Sequence, residues 1–394
     1  MPINKLPGVY YNEKVTYELT GDGSKIPVII GVTNNVIPKD EDEQPTIDYK
    51  IDGTQIHVYH NWDETNQPIT AEEPGIGEYT EDTTNQLSKF LKQFFEESKL
   101  QLNSDIGVPY IYVIDVGDGK NKDAWLNALE LAKTRRDATI EAYVGADGIT
   151  GYPVKSFIEG AYTSIEEESH DLNLRNGFTT IGFNNPDNVT DAQLIALTAE
   201  NTGVQLSRIG IMEPLQAGKH FARICVTPYN VEPGFIEYRS VKPGEFKQRT
   251  KAEMKALQDA GIIFGRDEYI NDEIYPKMNL CTATSFRKTA RPADSLFHAR
   301  FNADDLLREV FSVCYKQIKA NESATNIAYL QSRINKIVND RVRNEEMKAW
   351  DEKTGEGTKL NVHIGDSEYD LIVDGQLQPV KCTIAIDVEE TLRI

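Results

Sequence analysis

The sequence predicts an α/β protein (α+β overall), with α/β sheet domains, long C-terminal helices and extended β-strand arms at both termini. The first observation is that short apolar runs alternate with amphipathic helices, as in "VPYIYVIDVG" (108–117), "KDAWLNALELAKTRR" (122–136) and "ATIEAYVGADG" (138–148). The second is a change to two long helical patterns beyond residue 292. The third is a half-buried strand pattern at each end of the chain.

The N-terminal arm is predicted from "LPGVYYNEKVTYELTGDG" (6–23). Apolar and aromatic side chains fall on one side of this segment, interrupted only by Glu13, and polar side chains fall on the other. The apolar side consists of Val9, Tyr11, Val15, Tyr17 and Leu19. Because a lone terminal strand is not stable without a sheet to join, it must pair within its own subunit or with a neighbour.

The middle of the chain supplies the predicted sheet and its helices. Lys25–Thr33 predicts a buried strand, and "TTNQLSKFLKQFFEES" (83–98) predicts a helix behind a Thr/Asn cap. The capping boxes Thr190–Gln193 and Thr250–Glu253 predict two further helix starts. Further strands are predicted at "VQLSRIGIM" (204–212), "HFARICVTPYN" (220–230) and "GIIFG" (261–265).

The C-terminal arm is predicted from the alternation in "PVKCTIAIDVEETLRI" (379–394). Polar residues such as Lys381 and Thr383 fall on one side of the segment. The other side carries Val380, Cys382, Ile384, Ile386, Val388, Leu392 and Ile394. The chain therefore has a second terminal strand that needs a sheet.

Charge and composition exclude several classes of partner. The formal net charge is −20, from 42 basic and 62 acidic side chains. Such a surface repels phosphate and anionic lipid, so we expect no direct nucleic-acid partner and no membrane anchor. The N-terminus lacks the apolar segment of a signal peptide, and we expect assembly in a cytoplasm without the general secretion route. The four cysteines, none in a CxxC pair, are expected to be free thiols, mostly buried.

The best candidate for a small-molecule site is the Asp115–Asp123 loop. It follows a predicted parallel strand, and α/β proteins bind ligands at the carboxyl ends of such strands. A polar strand-to-helix connection explains the loop equally well. His57 and His60 would point to opposite faces of a strand, which disfavours a metal pair. We find no catalytic constellation and expect no enzyme activity, no cofactor and no metal site.

Several segments, in a fixed order, resemble the tail sheath proteins of contractile phage tails and related injection systems. "PGVYYNEKV" (7–15) is followed by "VIIGVT" (28–33), and "LSKFLKQFFEES" (87–98) precedes the strand at 108–117. "LQDAGIIFG" (257–265) and "NLCTATSF" (279–286) precede a long helix, and an alternating strand closes the chain. Two departures are Leu280-Cys281-Thr282, in place of the usual Trp-Gly before Ala-x-Thr, and a weak version of the arginine-rich helix start.

The resemblance implies a structural subunit that polymerises as a helical stack of rings, expected to be hexameric, around a tail tube protein. Baseplate and tail terminator proteins are the other implied partners, and the implied location is a virion tail sheath or contractile injection particle. In this family the terminal strands pair with a neighbour's sheet. The sheath contracts from a metastable extended state and drives the tube through a target envelope.

The resemblance also implies a division of the chain into an inner core, an outer domain and two arms. The expected segments are arms at 1–24 and 379–394, a discontinuous inner core at 25–33, 80–116 and 243–378, a polar β-rich insertion at 34–79, and an outer α/β domain at 117–242.

The alternative function is an α/β ligand-binding protein or enzyme that uses the Asp115–Asp123 loop. The alternative for the arms is that they pair with each other inside one subunit.

Overall fold

A computed structural model of the chain describes most of its residues. The described ranges are 25–35, 48–69, 75–80, 84–101, 108–170, 174–180, 189–201, 208–229, 231–270, 273–282, 296–315, 324–364 and 371–380. They divide into two compact units, the first within residues 1–228 and 232–297 and the second within residues 229–231 and 298–394.

Helices and strands alternate through the first unit, and the predicted α/β class is confirmed. Within the described ranges, the helices are α1 (Trp62–Thr65), α2 (Gln86–Gln101), α3 (Lys122–Lys133), α4 (Val154–His170), α5 (Asp191–Asn201), α6 (Ala217–Val226), α7 (Lys251–Asp259), α8 (Phe297–Tyr315) and α9 (Ala324–Arg343). The strands are β1 (Ile26–Gly31), β2 (His57–Tyr59), β3 (Ile111–Asp115), β4 (Ala138–Val144), β5 (Asn176–Thr180), β6 (Ile209–Met212), β7 (Ile262–Ile263), β8 (Gly265–Ile270), β9 (Glu273–Met278), β10 (Lys359–Ile364) and β11 (Leu371–Gln376).

One seven-stranded sheet organises the described part of the first unit, in the order β2-β3-β1-β4-β5-β6-β7. Its strands are parallel except for β2, which runs antiparallel to β3. Parallel strands need covered faces, and helices pack on both sides of this sheet. Trp125 of α3 and Phe157 of α4 join the cluster on one face. On the other, Phe221 of α6 contacts Phe90 of α2 and Phe178 of β5.

The predicted strand at 220–230 is wrong, because residues 217–226 form helix α6. Every residue of α6 is buried, including Lys219, His220 and Arg223, whose spacing places them on one face of a helix. That spacing is a helix signal, and the strand prediction followed the apolar residues of the segment instead. The capping boxes predicted at the starts of α5 and α7 are both formed.

One sheet of the structure takes strands from two of the segments expected from the sequence. β1 and β3 come from the expected inner core, while β4, β5 and β6 come from the expected outer domain, yet all five are strands of one sheet. β1 pairs with β3 on one side and with β4 on the other, so a limit at 116/117 passes through the sheet. Alternation along the sequence shows that strands exist but not which of them are neighbours.

The second unit contains two helices and a hairpin. β10 and β11 pair antiparallel over their full length, from Lys359 opposite Gln376 to Ile364 opposite Leu371. A separate apolar cluster holds this unit together, with members from α8, α9 and β10. Its buried residues are Leu306, Val310, Leu330, Ile334, Ile337, Val338, Met347 and Leu360.

Candidate functional site

Asp115 lies at the carboxyl end of β3, as the sequence predicts. Its carboxylate is fully buried and accepts hydrogen bonds from the Thr33 hydroxyl at 2.8 Å to each oxygen. The Gly117 N–H donates to it at 2.8 Å and the Tyr49 hydroxyl at 3.2 Å. These bonds join β1, β3 and the segment that leads to β2. Asp115 is therefore a buried polar link between these three segments at the carboxyl ends of the strands.

Among the described residues, the groups that bind Asp115 include no cation, and this affects the pKa of its carboxyl group. Burial raises the pKa of the carboxyl group to about 7, because desolvation outweighs the hydrogen bonds from Gly117, Thr33 and Tyr49. The pKa of Tyr49 is raised for the same reason, and by the neighbouring Asp115. Burial lowers the pKa of His57, which stacks on Tyr49 with ring centroids 4.5 Å apart, to about 4.

The other polar side chains of the Asp115–Asp123 loop hold the loop itself. Asp118 accepts a hydrogen bond from the Lys120 N–H at 3.0 Å, and Asn121 caps α3 by accepting from the Asp123 N–H at 2.9 Å. The indole N–H of Trp125 donates to the Gly119 carbonyl at 2.9 Å. These contacts are those of a strand-to-helix connection, the second interpretation of the loop.

The place where a doubly wound sheet binds ligands is filled by the chain itself. The strand order reverses beside β1, and ligands of such sheets sit outside the carboxyl ends of the strands at that point. Here the start of α2 occupies it, with the Leu87 N–H donating to the Val32 carbonyl at 2.9 Å. A Cβ added at Gly31 would lie 3.0 Å from both Leu87 and Val144. This packing favours a structural role, rather than ligand binding, for the carboxyl ends of these strands.

The two histidines do not share a site. His57 stacks on Tyr49, whereas the His60 ring nitrogen Nδ1 lies 3.2 Å from the carboxylate of Glu64. Among the described residues, no group of three or more His, Cys, Asp or Glu side chains could hold a metal ion. Cys225, Cys281 and Cys314 are free thiols, with the first two buried.

The predicted arm residues lie outside the described residues, except for Val380. The described chain begins at Lys25, whose buried ammonium group donates to the Ile224 carbonyl at 2.8 Å and also to that of Thr227, at the C-terminal end of α6. A cation is favoured there by the helix dipole. The first described residue is therefore fixed to the end of α6.

The last described residues of the chain are anchored as well. Val380, with its side chain 40% exposed, donates its N–H to the Glu346 carbonyl at 3.0 Å, and Met347 forms an antiparallel bridge with Pro379. The Glu346 carboxylate binds Arg341 of α9 at 2.8 Å. These contacts hold Val380, the last described residue, to the second unit.

The hairpin β10–β11 has one edge occupied by a side chain and one edge open within the described residues. The Gln331 amide of α9 donates to the Leu360 carbonyl at 2.9 Å and accepts from the Val362 N–H at 2.7 Å, as a neighbouring strand would. Leu360 and Val362 therefore point their backbone groups away from β11. Their partners in the register, Gly375 and Val373, must point theirs away from β10, because opposed residues of an antiparallel pair share one hydrogen-bonding state.

No protein-family model matches the sequence, and no curated protein matches it. Solved structures do match. A chain in the sixfold-symmetrised baseplate of the anti-feeding prophage is 11% identical, with 99% of each chain covered and a TM-score of 0.60. The contracted helical sheath of the same particle is 12% identical, with 94% of this chain and 93% of that chain covered and a TM-score of 0.58.

A third match is the contracted sheath complex of the extracellular contractile injection system PVC. It is 11% identical, covers 99% of this chain and 98% of that chain, and has a TM-score of 0.58. The chain has the contractile-sheath fold. The α/β fold expected from the resemblance is thereby confirmed.

Within the sheath fold, sequence reasoning missed the open strand edge. Neither β10 nor β11 was predicted, because Gly375 interrupts one strand and the flanking segments are polar. A usable signal was "KLNVHI" (359–364), where Leu360 and Val362 alternate with polar residues.

In the described part of the chain, no helix is long and apolar enough to span a bilayer.

Proposed function

We propose that the chain is the structural subunit of a contractile sheath and has no enzymatic role. The observation that carries the proposal is a match over nearly the full length of the chain, both to a contracted sheath and to a component of a sixfold baseplate. The filled crevice beside β1 supports the same proposal.

The proposed assembly is a helical stack of six-membered rings around a tail tube, ending at a baseplate and a terminator. The sixfold symmetry of the baseplate match supports the ring size. The particle is a phage tail or a related injection particle assembled in the host cytoplasm. Contraction proceeds from a metastable extended sheath to one with more contact between subunits, and burial of surface supplies the free energy without a nucleotide.

We propose further that the terminal arms add strands to a neighbour's β10–β11 hairpin. An edge with unpaired N–H and C=O groups is a template for another strand, and main-chain hydrogen bonds give such a joint both strength and a fixed register. Val373 lies on the open edge of β11, and the alternating faces of both arms suit a sheet with one buried face.

Val373→Pro is expected to weaken assembly while leaving the hairpin paired. Proline removes the outward N–H that would bind an added strand, and prolines are tolerated at strand edges where that N–H does not serve the strand's own sheet. A lost hydrogen bond of about 1.4 kcal/mol corresponds to a rise of about tenfold in the critical concentration for tube formation. Sedimentation of assembled tubes measures this concentration.

Val373→Ala is the matched control for the proline variant. It removes most of the side chain, which packs against the apolar cluster of the second unit, but keeps the backbone N–H. We expect it to assemble much closer to the wild type than Val373→Pro does. Equal losses in the two variants would assign the effect to packing and would contradict strand addition at this edge.

The experiment that tests the proposed function is negative-stain microscopy of the purified chain at rising concentration. A sheath subunit should form long hollow tubes or stacked rings, alone or on added tail tubes. A uniform monomer under both conditions would overturn the proposal.

A further inference from the structure

A concave polar surface lies between α2 and the start of α6 in the first unit, with a volume of about 250 Å³. We call this surface the lysine pocket. The residues that matter for its chemistry are Tyr79, Lys89, Lys92, Glu96, Gln216 and Lys219. Three of these six residues are lysines and one is acidic, in a chain whose net charge is −20.

Two of the three lysines of the pocket, Lys92 and Lys219, are held by contacts within the chain. The Lys92 ammonium group lies 4.1 Å from the centre of the Tyr79 ring, a cation–π contact. Lys219 is largely buried, donates to the Ser240 carbonyl at 3.2 Å and lies 3.9 Å from the single acid, Glu96. Three ammonium groups against one carboxylate leave the pocket with a net positive charge.

The start of α6 lies beside these lysines. Gln216 is the N-cap residue and its side chain makes no capping hydrogen bond, although its oxygen is buried. The first turn is instead capped from α2, because the Gly218 N–H donates at 3.0 Å to the side-chain oxygen of Gln93, which also lines the pocket. The lysines therefore carry the positive charge of the pocket and favour a ligand that presents carboxylates.

We propose that the lysine pocket binds a carboxylate-bearing surface of a second copy of this chain. The inference rests on the proposed sheath function, which packs many copies side by side. Chains with a charge of −20 repel one another, so contacts between copies need places where cations meet acids. Charge pairs of this kind set register and suppress wrong contacts between partners.

Charge reversal at the pocket tests the proposal. Lys89→Glu/Lys92→Glu is expected to raise the critical concentration for tube formation by about tenfold or more at low salt, because like charges would then face each other across the contact. The difference from the wild type should narrow as salt rises from about 0.05 M to about 0.5 M, since screening shortens the range of charge interactions. Both lysines are at least partly exposed, so the fold is expected to tolerate the change.

A matched control is Lys251→Glu/Lys255→Glu on α7. It changes the net charge by the same amount at two exposed lysines outside the pocket. We expect this control to assemble nearly as the wild type does. Equal effects in the two double variants would show that only net charge matters and would overturn the proposal.

Zero-length cross-linking identifies the occupant directly. Tubes are grown from equal amounts of unlabelled and ¹⁵N-labelled chain and treated with a carbodiimide, which joins lysine amines to carboxylates in contact. Mixed light–heavy peptides that contain Lys89 or Lys92 would confirm a second copy as the occupant. If tubes form but these lysines give only cross-links within one chain, or none, the proposal for the lysine pocket is overturned and the proposed sheath function still stands. If the wild type forms no tubes, both proposals are overturned.

Discussion

Removal of residues 381–394 is expected to abolish tube formation while leaving both units folded. The truncated chain keeps every contact of the described C-terminal segment, including the Val380 N–H bond to the Glu346 carbonyl and the bridge between Met347 and Pro379. It loses all the predicted apolar arm residues beyond Val380. If these residues pair only with a neighbour, their removal weakens assembly and leaves the free energy of unfolding of the subunit unchanged.

The size of the effect follows from the number of bonds in an added strand. A strand of about five or six residues forms several main-chain hydrogen bonds, each worth about 1 kcal/mol, and buries apolar side chains as well. Loss of that much free energy at every joint raises the critical concentration by several powers of ten. The measurement is the absence of tubes by negative-stain microscopy and sedimentation, together with an unchanged unfolding curve for the subunit.

A full-length variant controls for loss of the chain itself. Thr383→Ala/Asp387→Ala changes the polar side of the arm and leaves the apolar side intact, so it should assemble nearly as the wild type does. A truncated chain that unfolds at lower denaturant would show that the arm belongs to its own subunit. Tubes from the truncated chain would show that this arm is not needed for the joint.

The sequence predicts elements well where one physical signal dominates. β1, β3 and β4 are found because continuous apolar runs bounded by turns are typical of buried parallel strands. α2 is found from its apolar stripe, and its predicted cap is present, since the Asn85 side chain accepts from the Ser88 N–H at 2.8 Å. α6 is predicted wrongly because its apolar residues also fit a buried strand, and the helical spacing of Lys219, His220 and Arg223 was outweighed by them.

The candidate site is predicted in position but not in chemistry. Asp115 follows a parallel strand, as expected, but sequence spacing cannot show that Thr33 and Tyr49, 82 and 66 residues away, enclose it. The Gln331 side chain that covers the edge of β10 is equally invisible, because it lies about 30 residues from Leu360 and Val362 in sequence. Contacts across such distances depend on the fold and leave no local pattern.

The two edges of the β10–β11 hairpin suggest how one subunit avoids unwanted pairing yet accepts a wanted strand. Exposed strand edges promote aggregation, and proteins commonly cover them. Here Gln331 satisfies backbone groups of Leu360 and Val362 at one edge, and within the described residues the β11 edge is the one that the proposed strand addition would use. Covering one edge would direct every incoming strand to the same side, which a regular helical assembly requires.

The second large effect is expected in the pH dependence of stability, through Asp115. The folded-state pKa of about 7 lies above the ordinary value of 3.8, so the folded chain keeps a proton over a range in which the unfolded chain has lost it. The contribution of this group to stability is therefore full below about pH 4 and is lost as the pH rises through about 7. The difference between the two pKa values corresponds to about 4 kcal/mol.

Asp115→Asn isolates this contribution. The amide has the same shape, and the Thr33 and Tyr49 hydroxyls can accept from it as well as donate. The free energy of unfolding of the wild type, minus that of the variant, should fall by about 4 kcal/mol between pH 4 and pH 8, most steeply at about 1.4 kcal/mol per pH unit. Urea unfolding at a series of pH values measures this difference.

Asp118→Asn provides a control of opposite sign three residues further along the loop. The pKa of Asp118 is lowered by its hydrogen bond from the Lys120 N–H, so its contribution to the free energy of unfolding is present at neutral pH and is lost as the pH falls. Asp118 is exposed, and the pH-dependent difference between the wild type and Asp118→Asn should therefore be small. A wild-type minus Asp115→Asn difference that stays flat from pH 4 to pH 8 would show that Asp115 keeps an ordinary pKa, and that bonds from Thr33, Tyr49 and Gly117 fully offset its burial.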